Sequence, residues 1–498
     1  MTAKISNHNR GVWMCLVALG LLTLFRLILA AWIPLSPDEA YYRLWALAPA
    51  AGYLDHPPMV ALWMRIGMFF AGDTAEGLRF MGPVSAAIGT VLLVQAVQQW
   101  LQSQKLFAVS VGNGFVTALK PGIILNCTLA VGLGTLIMTP DTPLVFFMAL
   151  LLWSVSNLLS GRHPAFWLLV GLSAGLGFDS KYTALLPVAG LGMWLLATRA
   201  GRQWLRTPWP WLGAVVAMGC MAPVVEWNAT HHWVSFLKQG GRAGDWQPTR
   251  MFTFMGELLG GQVGLASPLI FVLFAVAIKY LLRLRDQFAQ LLLCMVLLPA
   301  AVFLQHAIGA RVQANWPVVL YPALALSVVC VPYRWWKAAC ALGAAMFVVV
   351  VVQALWAPAH LSPHFDMTLR QMGGWPEFVQ IVEKQIPPDA LLIADEYGLA
   401  GELSFYAQNR KVLAVEPRWQ FFAFPHSTCG AEGYLLRSHR RHDQPDPALF
   451  DVLSQYPDIS RSRRGSVADS YAVYRVRLRC LGGATVREDT AVLPANKC

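Results

Sequence analysis

Charged side chains are scarce in this chain, because only 13% of its 498 residues are Asp, Glu, Lys or Arg. A soluble globular protein carries about 25%. Hydrophobic residues make up 56%, and the mean hydropathy is +0.49. This composition excludes an ordinary soluble enzyme and predicts a polytopic α-helical membrane protein.

The sequence also lacks the usual motifs for nucleotides and metals. It has no P-loop and no glycine-rich strand-to-helix turn. It has no CxxC pair and no His-rich ligand pattern, and the adjacent His231 and His232 are weak evidence for a metal. We therefore expect no metal and no cofactor.

Eleven apolar runs predict eleven membrane spans. They lie at about residues 11–33, 79–101, 107–137, 142–160, 165–178, 182–198, 208–227, 262–282, 288–306, 316–332 and 336–357. The third run is too long for one straight span, and Lys120-Pro121-Gly122 predicts a break within it.

The net charge of +11 is unevenly distributed. With a cytoplasmic N-terminus, the inside loops hold twelve lysines and arginines against one acid, Asp286. This pattern is the positive-inside signature, so the basic excess does not indicate a nucleic-acid partner. It predicts a multi-pass membrane protein with residues 358–498 outside. In a Gram-negative bacterium, this is a protein of the inner membrane with residues 358–498 in the periplasm.

Those last residues read as a small exported α/β domain that follows a membrane domain, residues 1–357. Helices are predicted at residues 375–384 and 399–406, strands at 390–394, 411–415 and 470–479, and a loop at 437–466. One pair among Cys429, Cys480 and Cys498 is expected to form a disulfide, and the sequence leaves open which pair.

The first outside loop, residues 34–78, concentrates chemistry in residues 36–58. It contains three carboxylates beside a histidine: Asp38, Glu39, Asp55 and His56. Its aromatic residues suit a headgroup layer: Tyr41, Tyr42, Trp45 and Tyr53. Ionisable residues at a membrane indicate function by default, so a site is favoured over a loop that only caps helices.

Other outside segments carry further candidates. Asp141 lies between two prolines, where helix N-capping is the simplest explanation. Lys181 is explained equally well by snorkelling or by a lipid phosphate. Arg242 stands in a tryptophan-rich loop that suits sugar and anion binding, and Arg311 is the only full positive charge of residues 306–317.

Acids and cations thus collect on the outer face, where nucleotide-sugars are absent. An enzyme working there needs a substrate that arrives activated, and a polyprenyl-phosphate sugar meets that need. Cations would hold its phosphate, and a carboxylate would take a proton from the acceptor hydroxyl.

Several motifs then resemble the GT-C glycosyltransferases of the bacterial protein-mannosyltransferase-like type (family 39, PMT_2), related to lipid A aminoarabinose transferase. The matching pieces are PDEAYY at 37–42, GYLDHPP at 52–58, MTPDTP at 138–143, SKYT at 180–183, GGQ at 260–262 and NWP at 315–317. The resemblance implies a metal-independent, inverting transfer of a sugar from a polyprenyl-phosphate donor to a glycan, lipid or protein acceptor.

The resemblance also implies roles for single residues. Asp38 is the catalytic base, Glu39 positions it, and Asp55 is a second carboxylate of the cavity. Donor-phosphate candidates are Lys181, Arg311 and His56, although His56 stands where the aminoarabinose transferase has a lysine. Expected substrate-binding residues are Tyr41, Tyr42, Tyr53, Asp141, Arg242 and Gln262.

Two other functions compete with a transferase. A transporter or flippase of lipid-linked sugars accounts for the spans, but paired inverted halves are not evident in the sequence. A structural membrane subunit leaves the acids of residues 38–55 unexplained. The sequence does not specify the sugar, the acceptor, the polyprenyl length or the oligomeric state.

Overall fold

The computed structural model describes residues 2–103, 114–240, 246–332, 334–407, 409–480 and 485–494. Most of its elements before residue 357 are helices. Those long and apolar enough to cross a membrane are Arg10–Trp32, Ala75–Ser103, Asp141–Leu159, Trp209–Thr230, Gln287–Ala307 and Trp336–Trp356. Shorter apolar helices are Met59–Ala71, Phe115–Cys127, Phe166–Ser180 and Trp316–Cys330.

Two further apolar segments are bent pairs of helices, which raises the number of candidate spans in the described residues from six to at most eight. Tyr182–Ala197 meets Arg199–Leu205 at 97°, and Pro248–Ala266 meets Pro268–Leu281 at 104°. The predicted total of eleven stays a prediction.

The second bend corrects the predicted straight span 262–282. Ser267 separates its two helices with φ 74° and ψ 149°, outside the helical region. Pro268 follows it, lacks an N–H, and disfavours helical backbone in the residue before it. The helix that begins at Pro268 therefore takes a new direction.

The predicted break at Lys120-Pro121-Gly122 is also wrong. The helix Gly114–Cys127 passes through Pro121 without ending. The chain breaks instead at Thr128, whose hydroxyl accepts a hydrogen bond from the Val131 amide and caps the short helix Leu129–Gly134. Part of the predicted run, residues 104–113, lies outside the described residues.

The chain packs as two compact units that are interleaved in sequence. The first consists of Met1–Arg26, Ala51–Val60 and Met81–Val348, and the second of Leu27–Ala50, Ala61–Phe80 and Val349–Cys498. Two segments near the N-terminus therefore belong by packing to the C-terminal unit. The predicted division after residue 357 into a catalytic membrane domain and an exported domain stays a prediction.

The second unit contains a mixed six-stranded sheet in the order β5-β6-β4-β1-β2-β8. β1 runs parallel to β2 and β4, and the other pairs are antiparallel. The strands are β1 Leu391–Ala394, β2 Val412–Val415, β4 Glu432–Ser438, β5 Phe450–Arg463, β6 Ser466–Leu478 and β8 Thr490–Leu493, with a separate ribbon of β3 Ser427–Thr428 and β7 Val486–Arg487.

The helices of this unit are Pro37–Leu47, Met59–Ala71, Ala75–Arg79, Met367–Met372, Trp375–Gln385 and Tyr397–Tyr406. The predicted helices of the tail are thus present, and its predicted strands overlap β1, β2 and β6, each extending one residue beyond the observed strand. The predicted loop at residues 437–466 is wrong, because β5 fills half of it. β5 lies at the sheet edge with most side chains exposed, so its polar composition reflects solvent contact.

The tail cysteines are only partly described. The Cys480 thiol and Cys429 are within hydrogen-bonding reach of each other, while Cys498 lies outside the described residues. The expected disulfide therefore stays a prediction.

Candidate functional site

Asp38 lies in the first turn of the helix Pro37–Leu47. Ser36 caps this helix: its hydroxyl accepts from the Glu39 amide, and the Ser36 amide donates to Glu39 Oε2 at 3.1 Å. Pro37, at the first helical position, has no N–H left to satisfy. The helix therefore begins at a fixed point, and the Asp38 side chain projects from it exposed.

Glu39, the next residue, is fully buried. Arg79 donates to both of its oxygens, from Nε at 2.6 Å and from Nη2 at 2.7 Å. The same guanidinium donates to the carbonyls of Ala30, Ile33 and Pro34. Because Arg79 is fully buried too, the ion pair anchors the helix to the interior and leaves Glu39 no exposed surface.

A second helix, Tyr397–Tyr406, packs closely on the first. A Cβ on Gly401 would lie 2.8 Å from the Ala40 carbonyl carbon, and one on Gly398 would lie 2.7 Å from the Pro37 Cβ. Only glycine allows this approach. It brings the Tyr397 hydroxyl to 3.1 Å from Asp38 Oδ1, to which it donates.

Asp38 borders a polar cavity of about 630 Å³ in the second unit. Charged groups of both signs line the cavity. The acids are Asp38, Asp395, Glu396, Glu416 and Asp469, and the arginines are Arg370, Arg418, Arg440, Arg441 and Arg461. Burial raises the pKa of Asp395, although Arg437 and Arg441 oppose this shift, and burial also raises the pKa of Glu396. The cavity thus combines the exposed Asp38 carboxylate with many hydrogen-bonding groups.

The aromatic residues of the first loop do not face a headgroup layer, so that prediction is wrong. Tyr41, Tyr42 and Trp45 are buried. The Tyr41 ring packs against Tyr397 at 4.7 Å between centroids and against Trp419 at 5.9 Å. Tyr41 and Tyr42 therefore support the Asp38 helix from within, which leaves them little surface for a substrate.

Asp55 belongs to the first unit, where Lys238 forms an ion pair with its Oδ1 at 2.6 Å. Gln239 donates to the Asp55 carbonyl at 2.5 Å, and the neighbouring Tyr53 is buried. A Cβ on Gly52 would lie 2.7 Å from the Trp227 ring, so glycine permits the chain to pass here. Asp55 thus stands in a fixed loop beside a cation. His56 is half-buried.

Asp141 forms a three-residue cluster with Lys181 and Asn315. Lys181 Nζ lies 2.8 and 2.9 Å from its two oxygens, and Asn315 Nδ2 donates to Oδ2 at 2.6 Å. Asp141 is the first residue of its helix and makes no capping bond, so the N-cap interpretation is wrong. Snorkelling is wrong as well, since the Lys181 side chain is 5% exposed.

An apolar cavity of about 210 Å³ begins beside this cluster. Asp141 and Asn315 are among its polar lining residues, together with several threonines. Most of the rest of the lining is apolar, including Leu125, Leu129, Val131, Phe146 and Val318. The first unit thus offers an apolar space that ends at a charged and amide-bearing cluster.

The remaining candidates have separate surroundings. Gln262 is buried, donates to the Ala314 carbonyl at 2.8 Å and accepts from the Tyr321 hydroxyl at 3.0 Å, so it holds protein groups together. Arg311 pairs with Glu257 at 2.9 Å and is 63% exposed. Arg242 lies outside the described residues.

The described residues contain no group of three or more His, Cys, Asp and Glu side chains that could hold a metal ion. The Trp227 ring stacks on His231 at 4.3 Å between centroids. This contact gives the first of the adjacent histidines a packing role.

Sequence reasoning missed the partners of the predicted acids. Arg79 begins the predicted span 79–101, and no local pattern connects Lys238 with Asp55. Tyr397 and the lining arginines lie more than 300 residues from Asp38 in sequence, so no local pattern could connect them. An arginine at an apolar span's outer end was the one available signal, because such a charge needs a partner.

Two sequence comparisons detect relatives. Residues 55–227 match the family described as dolichyl-phosphate-mannose-protein mannosyltransferase, PMT_2. The lipid A galacturonosyltransferase RgtD of Rhizobium johnstonii is 25% identical over 302 residues, which are 60% of this chain and 61% of RgtD. The match thus spans less than two thirds of that relative.

Solved structures share the fold over nearly the whole chain. ArnT from Cupriavidus metallidurans in the apo state superposes with a TM-score of 0.63 at 14% identity, covering 94% of this chain and 98% of ArnT. ArnT bound to undecaprenyl phosphate gives 0.61 at 15% identity, with 93% and 98% covered.

The mostly helical architecture, with several helices able to span a membrane, is therefore the fold of the ArnT structures. The chain thus resembles the PMT_2 family over residues 55–227, RgtD over 302 residues, and ArnT in its fold.

Proposed function

We propose that this protein transfers a sugar from a polyprenyl-phosphate donor to a glycan or lipid of the cell envelope, at the outer face of the inner membrane. The observation that carries the proposal is the position of Asp38. Asp38, the first acid of the PDEAYY motif, is exposed at a polar cavity, whereas its neighbour Glu39 is fully buried. RgtD, by name, acts on lipid A, and ArnT has been solved with undecaprenyl phosphate.

The reaction is a single displacement with inversion. The acceptor hydroxyl attacks the anomeric carbon while Asp38 takes its proton, and a new C–O bond forms. The bond from the anomeric carbon to the phosphate oxygen breaks, and its electron pair leaves with the polyprenyl phosphate. The Tyr397 hydroxyl donates to Asp38 Oδ1 and so helps to orient the carboxylate that takes the proton.

The donor phosphate needs a cation that is available to it. Lys181 is nearly buried between two oxygens of Asp141, whereas the Arg311 side chain is 63% exposed and its partner Glu257 is 38% exposed. Exposed ion pairs are weak, so a phosphate displaces Glu257 more readily than Asp141. We assign Arg311 as the principal ligand of the donor phosphate. Lys181 then serves to hold the Asp141 side chain in place.

Comparative lipid analysis tests the proposal. Lipid A, other glycolipids and polyprenyl phosphates are extracted from cells with and without the protein and compared by mass spectrometry. The expected result is the loss of one sugar from one acceptor together with accumulation of its polyprenyl-phosphate form. Unchanged glycoconjugates and an unchanged donor pool would contradict the transferase function.

Substitutions then test the assigned roles. Asp38→Asn is expected to abolish transfer with normal membrane insertion, whereas Asp451→Asn, an exposed acid outside the cavity, keeps it. Arg311→Ala is expected to raise the KM for donor about tenfold, which corresponds to loss of one charged hydrogen bond. Arg250→Ala, an exposed arginine of the preceding loop, is the matched control.

A further inference from the structure

We propose that the polar cavity of the second unit binds the acceptor through a saccharide and presents a ring hydroxyl, rather than a phosphate, to Asp38. This inference rests on the proposed transferase function and narrows its acceptor. Three properties of the described cavity carry it: its charge balance, the side chains left free, and its size.

Three of the five arginines that line the cavity already form ion pairs with carboxylates. Arg418 pairs with Glu416 at 2.8 Å, and Arg441 pairs with Asp395 at 3.1 Å. Arg440 is 3.4 Å from Asp469. Arg461 differs from these three because its partners are not carboxylates: it donates to the backbone carbonyls of residues 369, 370 and 373. A phosphate that binds Arg418, Arg440 or Arg441 would have to break an existing ion pair, so the number of arginines overstates the affinity of the cavity for anions.

The side chains that remain free suit hydroxyl groups. Glu396 makes no ion pair or side-chain hydrogen bond within the described residues, and Gln371 is exposed with its side-chain amide unused there. Arg370 contacts only the Met367 sulfur through its side chain in that same part of the chain. One carboxylate, one amide and one guanidinium together offer donors and acceptors without excess positive charge.

A phosphate would also meet unfavourable electrostatics. Asp38 and Glu396 both line the cavity, and two carboxylates repel a third anion. The pKa of Glu396 is raised by burial, with Arg441 opposing the shift, so the surroundings disfavour negative charge at this position. A neutral polyhydroxylated ring avoids both costs.

The volume is adequate for this ligand. About 630 Å³ falls inside the range of roughly 300–1,000 Å³ typical of ligand pockets. Its open polar walls can hold a sugar while the lipid part of the acceptor stays outside the cavity. Asp38, at the wall, then receives the proton of whichever hydroxyl is directed to it.

Binding to the full-length protein in detergent tests the inference. The probes are an unphosphorylated β-1,6-linked N-acetylglucosamine disaccharide, its diphosphorylated form, and inorganic phosphate, followed by saturation-transfer NMR. We expect the neutral disaccharide to bind, to be undisturbed by inorganic phosphate, and to bind about tenfold more weakly to Glu396→Ala. Glu488→Ala, an exposed glutamate outside the cavity, is the matched control and keeps binding.

Kinetics separate failure of the inference from failure of the function. With a transferable acceptor extract, Glu396→Ala should raise the acceptor KM about tenfold and leave the donor KM unchanged. If transfer proceeds but only phosphorylated probes bind, or Glu396→Ala equals the control, the saccharide site is wrong and the transferase function stands. If no transfer occurs to any envelope lipid or glycan, the proposed function itself fails.

Discussion

Asp38 and Glu39 are adjacent in sequence, yet the Asp38 side chain lines the cavity and the Glu39 side chain is fully buried. A helix produces this separation, because successive side chains point about 100° apart around the axis. The buried pair Glu39–Arg79 fixes the helix, and the exposed residue does the chemistry in our proposal. In our proposal, Glu39 therefore holds the helix in place and Asp38 takes part in the reaction.

Glu39→Ala is expected to destabilise the protein strongly. It would leave the Arg79 guanidinium buried without its carboxylate, which costs about 3–5 kcal/mol in comparable pairs. The apparent unfolding temperature of the detergent-solubilised protein measures this loss. Asp38→Asn, one residue away but exposed, should unfold at the wild-type temperature, and equal losses in both variants would contradict the division of roles.

Glu402 makes the stability of the protein depend on pH. It is fully buried, and neither of its side-chain oxygens has a hydrogen-bond partner within the described residues. Burial raises its pKa well above the ordinary value, so the folded state keeps the proton. The unfolded chain ionises near pH 4.3, hence the stabilising contribution is complete below that pH and declines as pH rises toward the folded pKa.

Glu402→Gln should therefore flatten the decline of stability between about pH 4.3 and neutrality. The amide keeps the shape of the side chain and cannot ionise. Unfolding temperatures across this pH range check the result, with the exposed Glu488→Gln as control. A variant that retains the full wild-type slope would show that Glu402 does not hold the proton.

At the scale of elements, the close pairing of helices Pro37–Leu47 and Tyr397–Tyr406 is the feature on which the site depends. Gly398 and Gly401 allow the contact, and the contact brings Tyr397 to Asp38. Since β1 and β2 are central in the sheet and the second helix follows β1 directly, this arrangement is supported by the buried part of the domain.

Gly401→Val is expected to separate the two helices and to lower both stability and transfer. The added side chain would begin 2.8 Å from the Ala40 backbone, a distance that real Cβ atoms do not occupy. Gly256→Ala is the matched control: nothing lies within 4 Å of the added methyl in that helix, and alanine should stabilise it by about 0.5–1 kcal/mol. Wild-type transfer by Gly401→Val would contradict the importance of the contact.

Hydropathy and the alternation of apolar and polar residues predicted most elements, because burial in lipid or in a sheet imposes these patterns on the sequence. The failures are specific. Ser267 breaks a run whose average hydropathy is high, so hydropathy alone could not detect the bend. β5 carries polar residues because it lies at the edge of the sheet. Candidate acids could be identified by type, whereas their partners Arg79, Lys238 and Asn315 required the fold.

For the whole molecule, the charge pattern predicts which surfaces face the cytoplasm. The loop around Arg283 lies on the inside of the predicted topology and β5 on the outside, and both Arg283 and Ser454 are exposed. We expect a membrane-impermeant maleimide to label Ser454→Cys in intact spheroplasts, in a background without other reactive cysteines. Arg283→Cys should react only after lysis, and the opposite pattern would reverse the topology.

The interleaving of the two units has a consequence for synthesis. Residues 27–50, which carry Asp38, leave the ribosome early, but the unit to which they belong is completed only by residues 349–498. Contacts so distant in sequence form late, because the chain between them must be made and closed into a loop first. A nascent or prematurely terminated chain therefore cannot assemble the Asp38 cavity, and translation to the end of the domain acts as a checkpoint against partly built, active protein in the membrane.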